Sequence, residues 1–151
     1  MSETRELVVT LPRGRRVDVR VGGHVIHTDQ PLDNGGEDTA ASPFQLFLAS
    51  LGACAGIFVQ GFCAKRGIDP ARVRIVERPS YSADGGLVEV ALELELPPGF
   101  PEKYTDALVR VVDQCSVKRA IAAQPTFSVK AVQQRLAPAD AVLPAETRLV
   151  G

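Results

Sequence analysis

Alternating hydrophobic and polar residues in the first part of the chain predict short β-strands. Residues 6–11 form the first such pattern, and the sequence "PRGR" at 12–15 predicts the turn that ends it. Valines alternate with polar residues over 17–21, which predicts a strand with one buried face. A Gly-Gly pair then leads into a third extended pattern at 24–29.

The long uncharged stretch at 44–64 predicts a central helix. Ser42 is a suitable N-cap and Pro43 fits the first helical position. Basic residues followed by glycine at 65–67 predict its end. The stretch is also long enough to span a bilayer. Its glycines and alanines let other elements approach closely, and strand patterns lie on both sides, so a buried helix is favoured over a membrane span.

The second half of the chain predicts a β-hairpin. The sequence "DGG" at 84–86 separates two extended patterns, which is a strong hairpin signal. In the second arm the apolar residues are expected on one side and the glutamates on the other. The two sets are Val88, Val90, Leu92, Leu94 and Leu96, against Glu89, Glu93 and Glu95.

Helical spacing returns after the hairpin. The members of one apolar helical stripe are Tyr104, Leu108, Val111, Val112 and Cys115. A short helix at 116–123 and a last strand at 126–134 are predicted to follow. The tail at 136–151 is expected either to be loose or to lie over a partner. No repeat or domain boundary interrupts this order, so we predict a single α+β domain over residues 1–151.

Composition and charge argue against several classes of partner. Apolar residues make up 45% and charged residues 23% of the 151-residue chain, and the net charge is −1. This balance offers no basic field for nucleic acid or for an anionic membrane. Arg13, Arg15 and Arg16 cluster, but they are expected to lie in a solvated turn. We therefore predict neither nucleic acid nor a membrane as a partner.

The N-terminus and the cysteine content predict a reduced, cytoplasmic protein. Residues 1–11 contain no basic segment followed by a long apolar run, which a secretory signal would require. The three cysteines are an odd number, unlike a secreted disulfide framework. With no CxxC pair or Cys/His cluster, the sequence predicts no metal site.

The three cysteines differ in the faces that they occupy. Each helical residue advances by about 100°, so Cys54 shares a stripe with Phe47 and Leu51. Cys63, nine residues after Cys54, points to the opposite side and is expected to be inert packing. Cys115 lies on an apolar stripe that faces the core and could meet the central helix. A thiol in apolar surroundings is either core packing or a nucleophile, depending on what stabilises its thiolate.

Two cysteine motifs and their separation carry a resemblance to a known family. The sequence "SPFQLFLASLGACAG" at 42–56 is followed about sixty residues later by "VVDQCSVKRAI" at 111–121. Together with the loop "DQPLDNGGEDTAASP" at 29–43, they resemble the osmotically inducible protein C and organic hydroperoxide resistance (OsmC/Ohr) family, in its broader OsmC-like branch. The resemblance covers nearly the whole chain.

This resemblance implies a fold, an assembly and an activity. Family members are intertwined homodimers in which antiparallel sheets wrap around a long buried central helix. Their activity is that of a thiol peroxidase acting on organic hydroperoxides. The cysteine at the position of Cys54 attacks the peroxide and becomes a sulfenic acid, which the one at the position of Cys115 resolves. A dithiol reductant reopens the disulfide, and no further cofactor is implied.

The resemblance is incomplete around the nucleophile. Family peroxidases carry a glutamate shortly after the proline of the helix start, where this chain has Phe44 and Gln45. The family arginine, which lies over the thiolate, is best matched by Arg13, with Arg15 and Arg16 as competitors. Because the surroundings of the attacking thiol are apolar, we expect that a nearby cation is needed to ionise it.

A second departure leaves an alternative function open. The second family motif often reads Cys-Pro-Val, and Ser116 here stands in place of the proline, where it could cap the following helix. The alternative is a non-enzymatic OsmC-like dimer that binds an apolar or reactive small molecule, with Cys54 and Cys115 as packing residues. The missing glutamate favours this alternative, and the retained cysteine pair favours the peroxidase.

Overall fold

The computed structural model describes residues 6–133 of the chain. Strands and helices follow one another as β1 Leu7–Thr10, β2 Val17–Val21, β3 His24–Thr28, α1 Pro43–Ala64, β4 Arg74–Tyr81, β5 Leu87–Glu95, α2 Thr105–Val112 and α3 Ser116–Ala122. Short 3-10 turns precede α1, β4 and α2. This order confirms the predicted α+β class.

The first three strands form one antiparallel sheet in the order β1-β2-β3, as the sequence pattern predicts. The register pairs Val9 with Val19, and Val19 with Ile26, so these three side chains share one face. Gly22 has a φ of 58° in the tight turn between β2 and β3. Glycine adopts this left-handed conformation without the steric cost that a Cβ would add.

Strands β4 and β5 form a second, two-stranded antiparallel sheet around the predicted turn. A bulge next to Tyr81 leaves Val88 outside the paired register. Val88 is accordingly 65% exposed, whereas Val90 and Leu92, which the alternation places on the same side, are partly buried. Leu92 and Leu94, beyond the bulge, pack against the core as predicted.

Helix α1 begins where its capping residues predict. Gln45 N donates a hydrogen bond to Ser42 Oγ at 3.3 Å, and Ser42 N donates to Gln45 Oε1 at 2.8 Å. This reciprocal capping box satisfies two free N–H groups, and Pro43 is the first helical residue. At the other end, Gly67 has a φ of 64° and stops the helix shortly after Ala64.

The core lies between α1, α2 and the hairpin. Its buried members are Ala55, Val59, Phe62 and Cys63 of α1, with Leu108 and Val112 of α2. By length and composition α1 could cross a membrane, but here it packs along α2, α3 and β4. Its other face is uncovered within the single chain, where Ile57 is 69% exposed.

Two elements differ from the sequence predictions. Helix α2 ends at Val112, so Cys115 lies in the turn before α3, where it is fully buried. No strand forms over 126–133, and Phe127 and Val129 are 91% and 100% exposed. Alternation favours an extended chain, but a strand also needs a neighbour to which its backbone can bond. Residue 134 and the predicted tail lie outside the described residues.

Candidate active site

Cys54 lies in the middle of α1, within a turn built from small residues. The sequence GACAG at 52–56 has no large side chain that would keep another element away. The element that approaches is α3, whose first residue, Ser116, places its Oγ 3.6 Å from Cys54 Sγ. Cys54 is only partly buried, so its sulfur is open to a small reactant.

Cys115 is brought to Cys54 by the turn between α2 and α3. Val112 anchors the end of α2 in the core, and Cys115 is itself fully buried. Lys118 Nζ donates to Asp113 Oδ1 at 2.7 Å across this turn, which lowers the pKa of Asp113. Both thiols are free. The side chain of Cys115 is the largest cause of the lowered pKa of Cys54, which makes the two residues neighbours. Cys115 approaches Cys54 from a turn and not from a helix, and the redox pairing of the two thiols stays a prediction.

Hydrogen bonds lower the pKa of Cys54 from 9.0 to about 7. The largest contribution comes from the side chain of Cys115, and smaller ones come from the backbone N–H of Val117 and from the hydroxyl and backbone N–H of Ser116. Partial burial opposes them by disfavouring the charged form. Neutral donors at the start of α3 therefore stabilise the thiolate, in addition to any cation, whose role at this thiol stays a prediction.

Arg13 lies in the exposed turn after β1. Its Nη2 is 3.8 Å from Glu37 Oε2, and its side chain is 72% exposed. With Arg15 and Arg16 it lines a surface cavity of about 630 Å³. Within the described part of the chain no arginine bonds to Cys54 or contributes to its lowered pKa. A role for Arg13 at the thiolate stays a prediction.

The residues that stand in place of the expected glutamate have structural roles. Gln45 completes the capping box of α1 with Ser42. Phe44 is partly exposed and packs on Phe47, with ring centroids 5.7 Å apart. Neither residue offers a carboxylate, so an arginine held by a glutamate at this place is not part of the site.

Cys63 lies among the core residues of α1 and α2, as its helical position predicts. It is fully buried, and burial raises the pKa of its thiol. Because the thiolate is the nucleophilic form, a thiol in this environment reacts poorly. Cys63 is therefore packing, while Cys54 is the ionisable thiol of α1.

An apolar cavity of about 320 Å³ opens between α1, β5 and α3. Its lining residues are Phe47, Leu51, Leu87, Val88, Glu89, Val90, Leu92, Lys118, Ile121 and Ala122. Neither Cys54 nor Cys115 lines the cavity, and its lining residue Leu51 lies one helical turn before Cys54 on α1. The cavity's mainly hydrocarbon walls suit an alkyl or aryl group.

The loop that leads into α1 is organised by Asp29, a residue that the sequence reading missed. Its buried carboxylate accepts hydrogen bonds from the Thr39 hydroxyl and from the backbone N–H groups of Thr39, Gln30 and Glu37, at 2.8–3.2 Å. These bonds, with the Thr39 hydroxyl contributing most, lower the pKa of Asp29 to about 2. Gly36 passes so close to the Gln30 carbonyl that a Cβ would collide with it.

Comparisons with known proteins find relatives over most of the chain. The family model described as "OsmC-like protein" matches residues 35–130, a range that includes both Cys54 and Cys115. The comparison with curated proteins gives no match.

Solved structures share the fold. A protein from Psychrobacter arcticus, named for osmotic stress induction and detoxification response, is 22% identical, with a TM-score of 0.68 over 80% of this chain and 90% of its own. An organic hydroperoxide resistance protein OsmC from Legionella pneumophila is 24% identical, with a TM-score of 0.55 over 79% and 89%. An organic hydroperoxide resistance protein from Elizabethkingia anophelis is 22% identical, with a TM-score of 0.56 over 80% and 89%.

Proposed function

The chain belongs to the OsmC-like protein family, and we propose that it is a thiol peroxidase that reduces organic hydroperoxides. Cys54 is the attacking thiol and Cys115 the resolving thiol. The observation that carries this proposal is the free, partly buried Cys54 thiol, which lies 3.6 Å from the Ser116 hydroxyl beside the buried Cys115 and has a pKa lowered to about 7. Two structural relatives that are organic hydroperoxide resistance proteins add support at the level of the family.

In the first step the Cys54 thiolate attacks one peroxide oxygen of R–O–OH. An S–O bond forms as the O–O bond breaks, and the departing alkoxide takes up a proton to leave as the alcohol R–OH. The sulfur loses two electrons and becomes a sulfenic acid, while the peroxide gains them. The donors that hold the thiolate keep the sulfur ionised near neutral pH.

In the second step Cys115 resolves the sulfenic acid. Its sulfur attacks the sulfur of Cys54, an S–S bond forms, and the S–O bond breaks. The hydroxide leaves as water with the proton from the Cys115 thiol. Cys115 immediately precedes Ser116, whose hydroxyl is 3.6 Å from the Cys54 sulfur, so the resolving thiol lies in the segment next to the nucleophile. A dithiol reductant then returns both sulfurs to thiols by exchange.

The apolar cavity between α1, β5 and α3, which reaches Leu51 one helical turn before Cys54, supports an organic peroxide as the substrate. Its lining is mostly aliphatic and aromatic, and its volume of about 320 Å³ can hold a small alkyl or aryl group. Hydrogen peroxide has no hydrocarbon group to place there. Selectivity is therefore expected to come from the hydrocarbon part of the substrate, while the reaction itself is common to all peroxides.

Turnover with a dithiol tests this function. With excess dithiothreitol we expect continuous consumption of cumene hydroperoxide, and slower consumption of hydrogen peroxide. The rate should fall about tenfold for each pH unit below about 6, because the Cys54 thiolate is progressively lost below its pKa of about 7. Binding of cumyl alcohol in the cavity without any turnover would contradict the peroxidase and favour the binding function.

The same proposal includes a homodimer, because apolar surfaces lack cover within one chain. The β1–β3 sheet makes no extensive contact with the rest of the described chain. Its exposed apolar residues, between 40% and 56% accessible, are Leu7, Val8, Val9, Val25 and Ile26. On α1, Ile57 is 69% exposed as well. Exposed apolar surface of this extent is typical of a protein–protein interface. A second copy of the chain presents the same apolar residues, and the two surfaces can cover each other in a symmetric dimer.

Sedimentation tests the dimer. We expect the wild-type protein to have the mass of two chains at micromolar concentration. Ile57→Glu should shift it towards monomer by at least about tenfold in the dissociation constant, because a charge would then be buried at the interface. Ala83→Glu, which places the same charge on the exposed hairpin turn, is the matched control. A folded wild-type monomer at this concentration would contradict the dimer.

A further inference from the structure

Ser116 has an unusual place for a residue at the start of a helix. It is the first residue of α3, and the N-cap before it, Cys115, makes no capping hydrogen bond with its side chain. The Ser116 hydroxyl does not cap α3 either, contrary to the expectation from the sequence. Among the described residues its hydrogen-bond partner is Cys54, with 3.6 Å between Oγ and Sγ.

The contact between the Ser116 hydroxyl and Cys54 can stabilise the thiolate form of the cysteine. A serine hydroxyl rotates freely and donates its hydrogen to an acceptor, and the large sulfur atom makes 3.6 Å a hydrogen-bond distance. The backbone N–H of Ser116 is a second donor to the same thiol. Proline at this position would supply neither donor, because it has no hydroxyl and no N–H.

Charged groups do not account for the lowered pKa of Cys54. The charged residues of the helices and the strand that pack on α1 are Asp106, Arg110 and Asp113 in and just after α2, Lys118 and Arg119 of α3, and Arg74, Glu77 and Arg78 of β4. Among the described residues none of these contributes to the lowered pKa of Cys54. Lys118 is paired with Asp113 at 2.7 Å. The Glu77 carboxylate reaches α1 at Gly52, where a Cβ would lie 3.0 Å from its Oε2. Gly52 points about 200° around the helix from Cys54, so Glu77 does not face the sulfur.

We propose that Ser116 is a thiolate-stabilising residue of the active site, which donates to the ionised Cys54 sulfur through its hydroxyl. It acts together with Cys115 and the other donors at the start of α3. The lowered pKa of Cys54 agrees with this geometry. The proposal deepens the peroxidase function and rests on it for its catalytic meaning, but the state of the thiol can be measured without any peroxide.

The test measures the ionisation of Cys54 in four proteins. In the reduced full chain, iodoacetamide alkylation is followed against pH by peptide mass spectrometry, so that Cys54 is separated from Cys115 and Cys63. We expect a wild-type midpoint near pH 7. In Ser116→Ala and Ser116→Val the midpoint should rise by about one unit, because an isolated hydrogen bond to a charged group is lost. Ser116→Thr, which has nearly the shape of valine but keeps the hydroxyl, should stay near wild type.

The outcomes separate this proposal from the peroxidase. Alkylation midpoints in the alanine and valine variants equal to wild type, with folded proteins by circular dichroism, would overturn the role of Ser116. If the midpoint of Ser116→Thr rose as much as that of Ser116→Val, the role of Ser116 would be overturned as well. The shape of the side chain, and not its hydroxyl, would then set the pKa of Cys54. If the midpoints shift as expected but wild type consumes no peroxide, the role of Ser116 at the thiolate stands and the peroxidase function fails.

Discussion

Replacing Cys54 with serine is expected to abolish the reduction of organic hydroperoxide, with a fall in rate of at least about a thousandfold. A serine hydroxyl is not ionised near neutral pH and does not attack an O–O bond. Cys54 is only partly buried and its neighbours are small, so the variant should fold. The measurement is the rate of cumene hydroperoxide consumption with excess dithiothreitol.

Cys63→Ala is the matched control for this loss. It also removes one thiol from α1, but from the face that packs against α2, and it should retain most of the wild-type rate. Its cost is a small cavity in the core, which should lower the melting temperature slightly. If the folded Cys63→Ala protein lost activity while Cys54→Ser kept it, the assignment of the two cysteines would be reversed.

Replacing Cys115 with serine should stop the reaction after its first step. With one equivalent of cumene hydroperoxide, we expect a sulfenic acid on Cys54 that reacts with dimedone, and no disulfide. The serine hydroxyl still donates to the thiolate, so the oxidation itself should remain within a few-fold of wild type. A disulfide from Cys54 to Cys63 in this variant would contradict the account, because the two lie on opposite faces of α1.

Cys115→Ala separates the two roles that the structure gives to this residue. Alanine removes both the resolving thiol and the hydrogen bond that contributes most to the lowered pKa of Cys54. We expect its oxidation at pH 6.5 to be slower than in Cys115→Ser, and the difference to disappear above about pH 9, where the thiol is ionised in either variant. Equal rates at both pH values would show that Cys115 does not act on the ionisation of Cys54.

Local signals in the sequence were sufficient for the parts of the fold that depend on neighbouring residues. The Ser42 N-cap, Pro43 and the glycines of the turns each act within a few positions, and the structure has them where they were predicted. The helical face of Cys63 followed from the angle between residues. The exposure of Val88 could not be predicted, because a bulge changes the alternation of a strand and leaves no clear mark in the sequence.

The missed features depend on contacts between distant parts of the chain. The alternation at 126–133 favours an extended backbone, but it becomes a β-strand only if the edge of a sheet is available for pairing. Asp29 binds backbone groups up to ten residues away, and Ser116 meets Cys54 across 62 positions. The neutral donors at Cys54 were missed for the same reason, because no local pattern shows that the start of α3 lies against α1.

A single equivalent of organic hydroperoxide is expected to join Cys54 and Cys115 in a disulfide, and a thiol count with disulfide mapping checks this. The reduced wild-type protein, freed of reductant under anaerobic conditions, receives one equivalent of cumene hydroperoxide per chain. Thiols are then counted, and disulfides are mapped by peptide mass spectrometry. The account predicts that two of the three thiols are lost, that Cys63 remains free, and that Cys54 and Cys115 are joined within one chain. Survival of all three thiols, under conditions in which free cysteine is oxidised, would contradict it.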